Sequence, residues 1–360
     1  MLRRTILRAA AAAALLLTAG TAPCVTWAAE PVTIRVGYAA IGVGNRPFVG
    51  GSSAALAHAE GYLEAEFRND PDVKVEWFFF KGAGPAVNEA IANGQLDFAL
   101  QGDLPSLIGR SNGLKTRLLL ASGARSPIYV AVPPGSDIKA IKDLKGRKVA
   151  IFRGTNLHLA FDKVLAANGL SEKDLKAINM DFATSKAALA TKDIDAALGQ
   201  SDLLALEEQG IAKVIYTSKG DNPAFGRNAH VLVTEAFEAK HPALTARAVK
   251  AFVKASLWAS DEANREKLFE IWAKSGIPAA NFRAEYEGTP LALRNSPLFD
   301  PFLIDQYRIQ ARQAKEHGLI RRDVEVEGWF DLRYLDAALK ELGLETRWTR
   351  YGADGKAVGS

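Results

Sequence analysis

Hydrophobic and polar residues alternate along this 360-residue chain in the rhythm of strands followed by helices. Short apolar runs rich in β-branched and aromatic residues are separated by stretches with helical periodicity. The predicted strands are residues 32–38, 73–80, 96–100, 116–121, 130–132, 148–152, 178–182, 194–198 and 214–216. The predicted helices between them are residues 54–67, 85–92, 104–110 and 186–190, with two more that begin at 156 and 203. This order predicts an α/β protein with parallel-rich sheets that helices cover on both faces.

After the apolar run at 231–233 the pattern changes to long amphipathic helices, predicted at 243–260, 262–274, 304–317 and 332–342. These helices have no strands of their own, so we expect the chain to return there to the first sheet. The last segment, 346–360, is polar and contains glycine. It is predicted to be a flexible tail.

One internal echo predicts two similar lobes. Residues 90–100 and 188–198 share a helix end, a tight turn and a short strand led by aspartate, and a second aspartate follows each strand at position 103 or 202. Any turn between a helix and a strand can look like this, so coincidence remains an alternative. The prediction assigns 29–127 plus 232–345 to lobe 1 and 128–231 to lobe 2. Two crossings, near 125–130 and 228–234, would form a hinge.

The first 28 residues have the pattern of a cleavable signal peptide. Three arginines precede an apolar segment at 9–17 that is too short to span a membrane, and small residues at Thr26 and Ala28 suit a signal peptidase. We expect cleavage after Ala28, with Ala29 as the alternative, and a periplasmic location. The single cysteine, Cys24, has an unsuitable context for lipid attachment because Pro23 precedes it.

Correcting the charge for this leader removes any sign of nucleic-acid binding. The chain has 45 basic and 41 acidic residues, and three of the basic ones lie in the leader. The remaining 42 basic and 41 acidic residues leave a net charge of +1. We therefore expect no nucleic-acid partner.

The most informative motif is the stretch from Asp143 to His158, which predicts a turn, a buried strand, a glycine corner and the start of a helix. Unpaired N–H groups and the positive end of the dipole at such a start can bind an anion. Gly154, Thr155 and Asn156 would form this anion-binding corner, and His158 would reach the ligand from one turn further on. The alternatives are ordinary corner and capping roles for Gly154 and Thr155, and a packing or surface role for His158.

Other candidate ligand-binding residues follow predicted strands or lie at the predicted crossings. They are Gly44, Asn45, Arg46, Gly82, Gly84, Gly102, Asp103, Gln200 and Arg227. Arg46 is the leading cation of the first lobe, unless it is a solvated loop residue. Asp103 and Asp202 would repel an anion, so they are expected to cap helices or receive an amine. Arg227 would reach either the cleft or only the hinge.

The sequence resembles the periplasmic solute-binding components of ABC importers for aliphatic sulfonates, taurine and nitrate. The resemblance covers nearly all of the mature chain and is most specific at 146–150 with 153–158, at 81–85 with 89–90, and at 102–105. It implies a type II-like periplasmic binding protein, in which two α/β lobes joined by a hinge close on a small anion without catalysis. It also implies a permease and ATPase complex at the inner membrane as partner, and a monomer. The chain departs from many relatives at 196–202, where they carry an aromatic- and acid-rich stretch.

Enzyme motifs do not favour catalysis. The chain has no GxSxG, HExxH or CxxC, and its five histidines lack metal-ligand spacing, so we expect no catalytic residue, metal or cofactor. The predicted ligand is an aliphatic sulfonate such as taurine or an alkanesulfonate. The alternatives are a nitrate- or sulfate-ester-binding protein and a protein like the thiamine-pyrimidine precursor family, either binding or enzymatic. A sensor lobe for a membrane receptor is a third, weaker alternative.

Overall fold

The computed structural model describes residues 30–358. The predicted signal peptide, its cleavage sites and Cys24 lie outside this range. None of the described helices has the length and apolarity needed to cross a bilayer.

Five strands, each with buried or half-buried apolar residues, form a first sheet. They are β1 (Val32–Tyr38), β2 (Val73–Phe79), β3 (Phe98–Gly102), β4 (Thr116–Ser126) and β10 (Arg227–Thr234), in the order β2-β1-β3-β10-β4. β1 runs parallel to β2 and β3, whereas β10 is antiparallel to β3 and β4. Four strands therefore run in one direction, and only the strand that returns from the second lobe opposes them.

A second sheet repeats this arrangement. It contains β5 (Tyr129–Val132), β6 (Lys148–Ile151), β7 (Lys176–Asn179), β8 (Ala196–Gly199) and β9 (Lys213–Thr217), in the order β7-β6-β8-β5-β9. The strand that crosses from the first lobe, β5, is again the antiparallel one. β3 and β8 occupy equivalent third positions, which confirms the internal echo in the sequence.

Fourteen α-helices cover the two sheets in the described part of the chain. They are α1 (Ser53–Ala59), α2 (Tyr62–Phe67), α3 (Ala83–Ala92), α4 (Asp103–Ser111), α5 (Asn156–Ala167), α6 (Phe182–Ala190), α7 (Asp202–Glu208), α8 (Glu235–Lys240), α9 (Pro242–Ala259), α10 (Arg265–Trp272), α11 (Ala279–Tyr286), α12 (Leu291–Asn295), α13 (Pro301–Glu316) and α14 (Arg333–Leu342). The single helix predicted at 54–67 is instead α1 and α2. Gly61 separates them because it adopts a left-handed conformation with φ of 66°.

The helices after β10 pack on both faces of the first sheet, as the sequence predicted. On one face, α9 and α10 bury Phe252 and Trp272 against Leu56 of α1. On the other, Tyr307 of α13 lies in a core with Leu107 of α4. The second lobe has its own two cores around β5, β6 and β8. Lobe 1 is therefore discontinuous in sequence.

The second crossing lies earlier than predicted. β10 pairs with β3 and β4 from its first residues, so it belongs wholly to the first sheet. The return segment is 218–226, and the predicted boundary at 231/232 falls inside a strand. The apolar run at 231–233 lies in the second half of this strand, which begins with the more polar residues 227–230.

The prediction of a flexible tail is wrong for residues 346–358. The indole of Trp348 is 4% exposed, and its Nε1 donates to Ser260 Oγ at 2.9 Å. The backbone N–H of Tyr351 donates to Asp300 Oδ2 at 3.1 Å, and Tyr351 also forms a bridge with Ala357. Burial of one large indole outweighs the polar composition of the segment.

Candidate anion-binding site between the lobes

The start of α5 in lobe 2 packs directly against lobe 1. A Cβ atom on Gly102 would lie 2.5 Å from the Cβ of Asn156, so only glycine permits this approach. Gly154 has φ of 76°, and a Cβ there would lie 3.2 Å from Pro85 of lobe 1. At the rim of the same interface, Lys81 and Asp181 form an ion pair at 3.9 Å. The lobes are thus in contact in this structure.

The predicted glycine corner is formed as expected but is covered by lobe 1. Thr155 is the N-cap residue of α5, yet its hydroxyl makes no capping bond and donates instead to Phe152 O at 2.7 Å. Its exposure is only 4%. The corner is therefore buried where the two lobes meet. The role of its backbone amides in binding an anion remains a prediction.

Hydrogen bonds occupy both ring nitrogens of His158. Its Nδ1 accepts from the Gly154 N–H at 3.2 Å, and its Nε2 contacts Glu172 Oε2 at 2.9 Å. The hydrogen bond from His158 lowers the pKa of Glu172 to about 2, and Arg153 adds to this effect. His158 thus ties the glycine corner to the loop at Glu172, and neither nitrogen points to a ligand here.

His158, Asp162 and Glu172 also have the donor types of a metal site. Because Nδ1 of His158 accepts a hydrogen bond, Nε2 carries the ring proton and donates it to Glu172. A metal ion needs a free lone pair at that nitrogen. The hydrogen-bond pattern therefore favours a structural role for these three residues over a metal centre.

Asp103 forms the centre of a buried network beside the corner. Its Oδ2 accepts from Asn228 N at 3.2 Å and from Gln310 Nε2 at 2.9 Å, and its Oδ1 accepts from Leu104 N at 2.8 Å. Burial raises the pKa of this carboxyl group. Asn156 Nδ2 donates to Asn228 O at 3.4 Å, which joins the second lobe to the network. Asp103, the first residue of α4, here accepts from the N–H of the next residue and holds the hinge strand β10.

Several of the other predicted residues have local packing roles. A Cβ on Gly84 would lie 2.2 Å from the Cβ of Pro105, so this glycine lets α3 approach α4. Gly82 is the exposed N-cap of α3. Gln200 is half-buried, and its backbone N–H donates to Asp202 Oδ1 at 3.3 Å.

The loop after β1 does not reach the corner. Gly44 and Asn45 have φ of 68° and 61° and form an exposed turn. The exposed Arg46 lies beside Gly276 of the same lobe, where a Cβ would lie 3.1 Å from its Nη1. The structure therefore supports the solvated-loop alternative for Arg46 in this conformation.

Arg227 lies at the hinge between the lobes. It is the first residue of β10, aligned with Ser126 of β4, and its Nε donates to Pro127 O at 3.2 Å. Burial lowers the pKa of Arg227, whereas Glu285 raises it. Within residues 30–358 no carboxylate lies within 4.0 Å of its guanidinium group, which is partly exposed.

A second arginine lies beside it. Arg294 of α12 is 3% exposed and forms an ion pair with Glu285 of α11, which is equally buried. Its Nη2 also donates to Ser126 Oγ at 3.0 Å, while Nε and Nη1 have no hydrogen-bond partner among the described residues. Burial opposes ionisation of Glu285, but Arg294 and Arg227 together lower its pKa.

Lobe 2 supplies two further polar groups to this region. The hydroxyl group of Tyr129 on β5 is buried without a hydrogen-bond partner in the described chain. The carbonyl oxygen of Ser201, just before α7, accepts from Asn281 Nδ2 of α11 at 2.9 Å. This bond joins the two lobes directly. We call Ser126, Tyr129, Arg227, Glu285 and Arg294 the hinge arginine site.

The charge balance of the hinge arginine site suits an anion. Two guanidinium groups face one carboxylate, so the site carries one positive charge in excess. Asp202, the nearest further acid, is paired with Lys186 at 2.5 Å and does not cancel it. A charged hydrogen bond contributes about 1.5–3 kcal/mol, whereas micromolar affinity requires about 8 kcal/mol. Several contacts and lobe closure must therefore act together.

Among the residues predicted as ligand-binding, only Arg227 belongs to the hinge arginine site. Gly102, Asp103, Gly154 and Asn156 meet instead around Asn228, its neighbour in the chain. Sequence reasoning missed Tyr129, Glu285 and Arg294 because no local motif marks them. The one available signal was a charged residue, Arg294, directly after three apolar residues at 291–293.

Comparisons with known proteins agree with this architecture. The family described as "NMT1/THI5 like" matches residues 57–265. The solved periplasmic sulfonate-binding protein SsuA of Methylobacillus flagellatus KT is 32% identical, covers 90% of this chain and 98% of its own, and superposes with a TM-score of 0.77. The alkanesulfonate-binding protein SsuA of Xanthomonas axonopodis pv. citri, solved with MOPS, is 26% identical over 85% of this chain and 100% of its own, with a TM-score of 0.69.

Curated relatives are matched over a shorter length. A protein of Escherichia coli K12 named as an aliphatic sulfonates-binding protein is 29% identical over 171 residues, which are 46% of this chain and 49% of the relative. The chain thus spans about half the length of that relative. The desulfurization enzyme DSZB, 17% identical with a TM-score of 0.61, shares the fold. The fold alone therefore does not separate binding from catalysis.

Proposed function

Because this chain belongs to the NMT1/THI5-like family, we propose that it is the periplasmic solute-binding subunit of an ABC importer, capturing an aliphatic sulfonate between its two lobes. Its proposed partners are a permease and an ATPase complex at the inner membrane. The names of the similar SsuA proteins and the signal-peptide pattern of residues 1–28 support this assignment. We propose a binding function without catalysis.

The observation that carries the proposal is the guanidinium group of Arg227 at the hinge, which has no carboxylate partner among residues 30–358. An arginine presents several N–H donors in one plane, and the oxygens of a sulfonate can accept from two of them. The hydroxyl group of Tyr129 and the free nitrogens of Arg294 supply further donors around it. Buried hydrogen-bond donors normally have acceptors. Donors that lack an acceptor in the protein therefore favour a ligand with several acceptor oxygens.

Closure of the lobes provides the remaining binding energy in this proposal. The ligand would contact Arg227 and Arg294 from lobe 1 and Tyr129 from lobe 2. A ligand that contacts both lobes binds the closed form more tightly than the open form, so it shifts the equilibrium between the two forms. The backbone amides of Thr155 and Asn156 would add donors if opening exposes them.

Nitrate or a sulfate ester remains the second candidate ligand, because both present the same acceptor oxygens. The departure at 196–202 favours a ligand without a large aromatic or cationic end, since the half-buried Gln200 stands in that stretch. A thiamine-pyrimidine precursor would instead need a neutral ring-binding surface. The partly buried guanidinium groups make that alternative less favourable.

Isothermal titration calorimetry tests the proposal. Ethanesulfonate, butanesulfonate, taurine, nitrate and methyl sulfate are titrated into the mature protein, with 1-butanol as the neutral control. We expect heat from at least one sulfonate and none from butanol. Absence of heat from every anion would overturn the proposed function.

Three variants locate the site. Arg227→Gln should weaken sulfonate binding, and Thr155→Ala tests the backbone corner separately. Arg46→Gln is the matched control on an exposed loop of the same lobe. If Arg46→Gln weakens binding and Arg227→Gln does not, the ligand lies at the loop after β1 and the placement at the hinge is wrong.

A further inference from the structure

A cavity lies behind the hinge, outside the cleft between the lobes. Its volume is about 200 Å³, and its walls come from the end of β4, from α12, from the start of α13 and from the C-terminal segment. The walls include Arg125, Leu293, Leu298, Leu303, Thr349 and Tyr351. We call it the rear cavity.

Within the described part of the chain, Arg125 is the one arginine that lines the rear cavity. Its guanidinium carbon lies 4.4 Å from the ring centre of Phe302 and 4.3 Å from that of Tyr351. The two aromatic rings hold the charge in place, yet no hydrogen bond or ion pair joins the guanidinium group to residues 30–358. The group is half-buried and fixed, but its N–H donors are free.

The one acid in the wall does not compete for these donors. Asp300 Oδ1 accepts from Leu303 N at 2.9 Å, and its Oδ2 accepts from Tyr351 N at 3.1 Å. Both oxygens are thereby used to cap α13 and to anchor the C-terminal segment. Arg125 therefore keeps free charged donors in the cavity wall, which also contains Leu293, Leu298 and Leu303.

We propose that the rear cavity binds a small organic monoanion, with its charged group on Arg125 and its short apolar chain against Leu293, Leu298 and Leu303. The volume is below the roughly 300–1,000 Å³ of drug-sized sites, which limits the ligand to a few carbon atoms. A short-chain carboxylate has the required charge, size and apolar body.

The position of Arg125 couples the rear cavity to the hinge. Its φ is 53°, a left-handed conformation, and its backbone N–H donates to Asn228 Oδ1 at 3.0 Å. A Cβ on Gly226, in the return crossing, would lie 2.9 Å from the Cα of Arg125. Both crossings therefore touch this residue. An anion in the cavity and a ligand in the cleft should alter each other's affinity by the same factor.

Calorimetry with sodium butyrate tests the rear cavity, and butyramide is the uncharged probe of the same shape. We expect wild type and the cleft variant Arg227→Gln to bind butyrate with equal affinity. Arg125→Gln should weaken it at least about tenfold, as should the change from butyrate to butyramide. Arg312→Gln, an exposed arginine of α13, is the matched control and should bind like wild type.

A second variant covers the risk that Arg125→Gln disturbs the hinge. Leu293→Trp fills the cavity and keeps the charge, so it should also abolish butyrate binding while its melting temperature stays near that of wild type. The proposal is overturned if wild type gives no heat with butyrate, or if Arg125→Gln and Leu293→Trp both bind as wild type does. Loss of butyrate binding in Arg227→Gln alone would place the anion in the cleft and also overturn it.

Discussion

The guanidinium group of Arg294 donates a hydrogen bond to the hydroxyl group of Ser126 at 3.0 Å, across 168 residues of sequence. Ser126 is aligned with Arg227 at the point where β4 and β10 leave and re-enter the first sheet. Two arginines that are distant in sequence therefore converge on the hinge. This convergence gives the hinge arginine site its positive charge.

Removal of the charge at Arg227 should weaken ligand binding with little effect on folding. The guanidinium group has no carboxylate partner among the described residues, so Arg227→Gln leaves no buried acid uncompensated. Loss of charged hydrogen bonds worth about 1.5–3 kcal/mol corresponds to roughly 10- to 150-fold weaker binding of the best sulfonate. Calorimetry measures the affinity, and urea unfolding should show an unchanged midpoint.

Removal of Arg294 should mainly reduce stability, in contrast to Arg227. Arg294→Met leaves Glu285 buried and unpaired, and breaking one partner of such a pair costs about 3–5 kcal/mol. Urea denaturation should show this loss in the free energy of unfolding. The double variant Arg294→Met/Glu285→Leu should recover much of it. A single variant as stable as wild type would mean that the pair is not buried in solution.

Gly102→Ala should impair closure of the lobes rather than folding of either lobe. Its φ of −82° is open to alanine, but the added Cβ would meet Asn156 at 2.5 Å. Overpacking of this kind costs about 1–3 kcal/mol, which would fall on the closed form and weaken ligand binding by roughly 5- to 150-fold. Calorimetry and small-angle X-ray scattering with ligand would measure the two effects.

The double variant Gly102→Ala/Asn156→Gly tests whether this steric clash causes the loss of affinity. It removes the opposing Cβ, so affinity should rise from that of the single variant. If the single variant binds as tightly as wild type, the ligand-bound form does not bring α5 against Gly102.

Glu172 should make stability depend on pH in the acid range. Its pKa is lowered from 4.5 to about 2 in the folded protein, chiefly by the hydrogen bond from His158. The unfolded chain therefore binds a proton first as pH falls, and the contribution of Glu172 is complete above pH 4.5 and lost towards pH 2. The free energy of unfolding of wild type should fall more steeply across this window than that of Glu172→Gln. Parallel curves would show that the hydrogen bond between His158 and Glu172 does not form in solution.

The strand and helix order was predictable because local periodicity reports which face of each element is buried. The echo at 90–100 and 188–198 predicted two lobes for the same reason, and β3 and β8 confirm it. The helix break at Gly61 and the burial of Trp348 were missed. Each depends on a left-handed turn or on tertiary contacts that periodicity does not record.

The site was less predictable than the fold. Arg227 was predicted as a candidate because it lies near a predicted crossing between the lobes. The positions of such crossings follow from the order of strands and helices along the chain. Arg294 and Tyr129 reach the hinge arginine site through packing of α12 and β5, and nothing in their neighbouring residues signals it. The glycine corner at Gly154 was recognisable, but its contact with Pro85 was not, because that contact belongs to the other lobe.

The two crossings differ in length, and this difference sets where movement is visible. Only residues 127 and 128 join β4 to β5, whereas residues 218–226 join β9 to β10. The short connection fixes the pivot beside Pro127. Distances between the lobes therefore barely change there when the lobes open, and they change most at the opposite edge of the interface. Lys81 Nζ and Asp181 Oδ2 lie 3.9 Å apart at that edge. A pair of fluorophores attached at these two positions would report the distance between the lobes as they open.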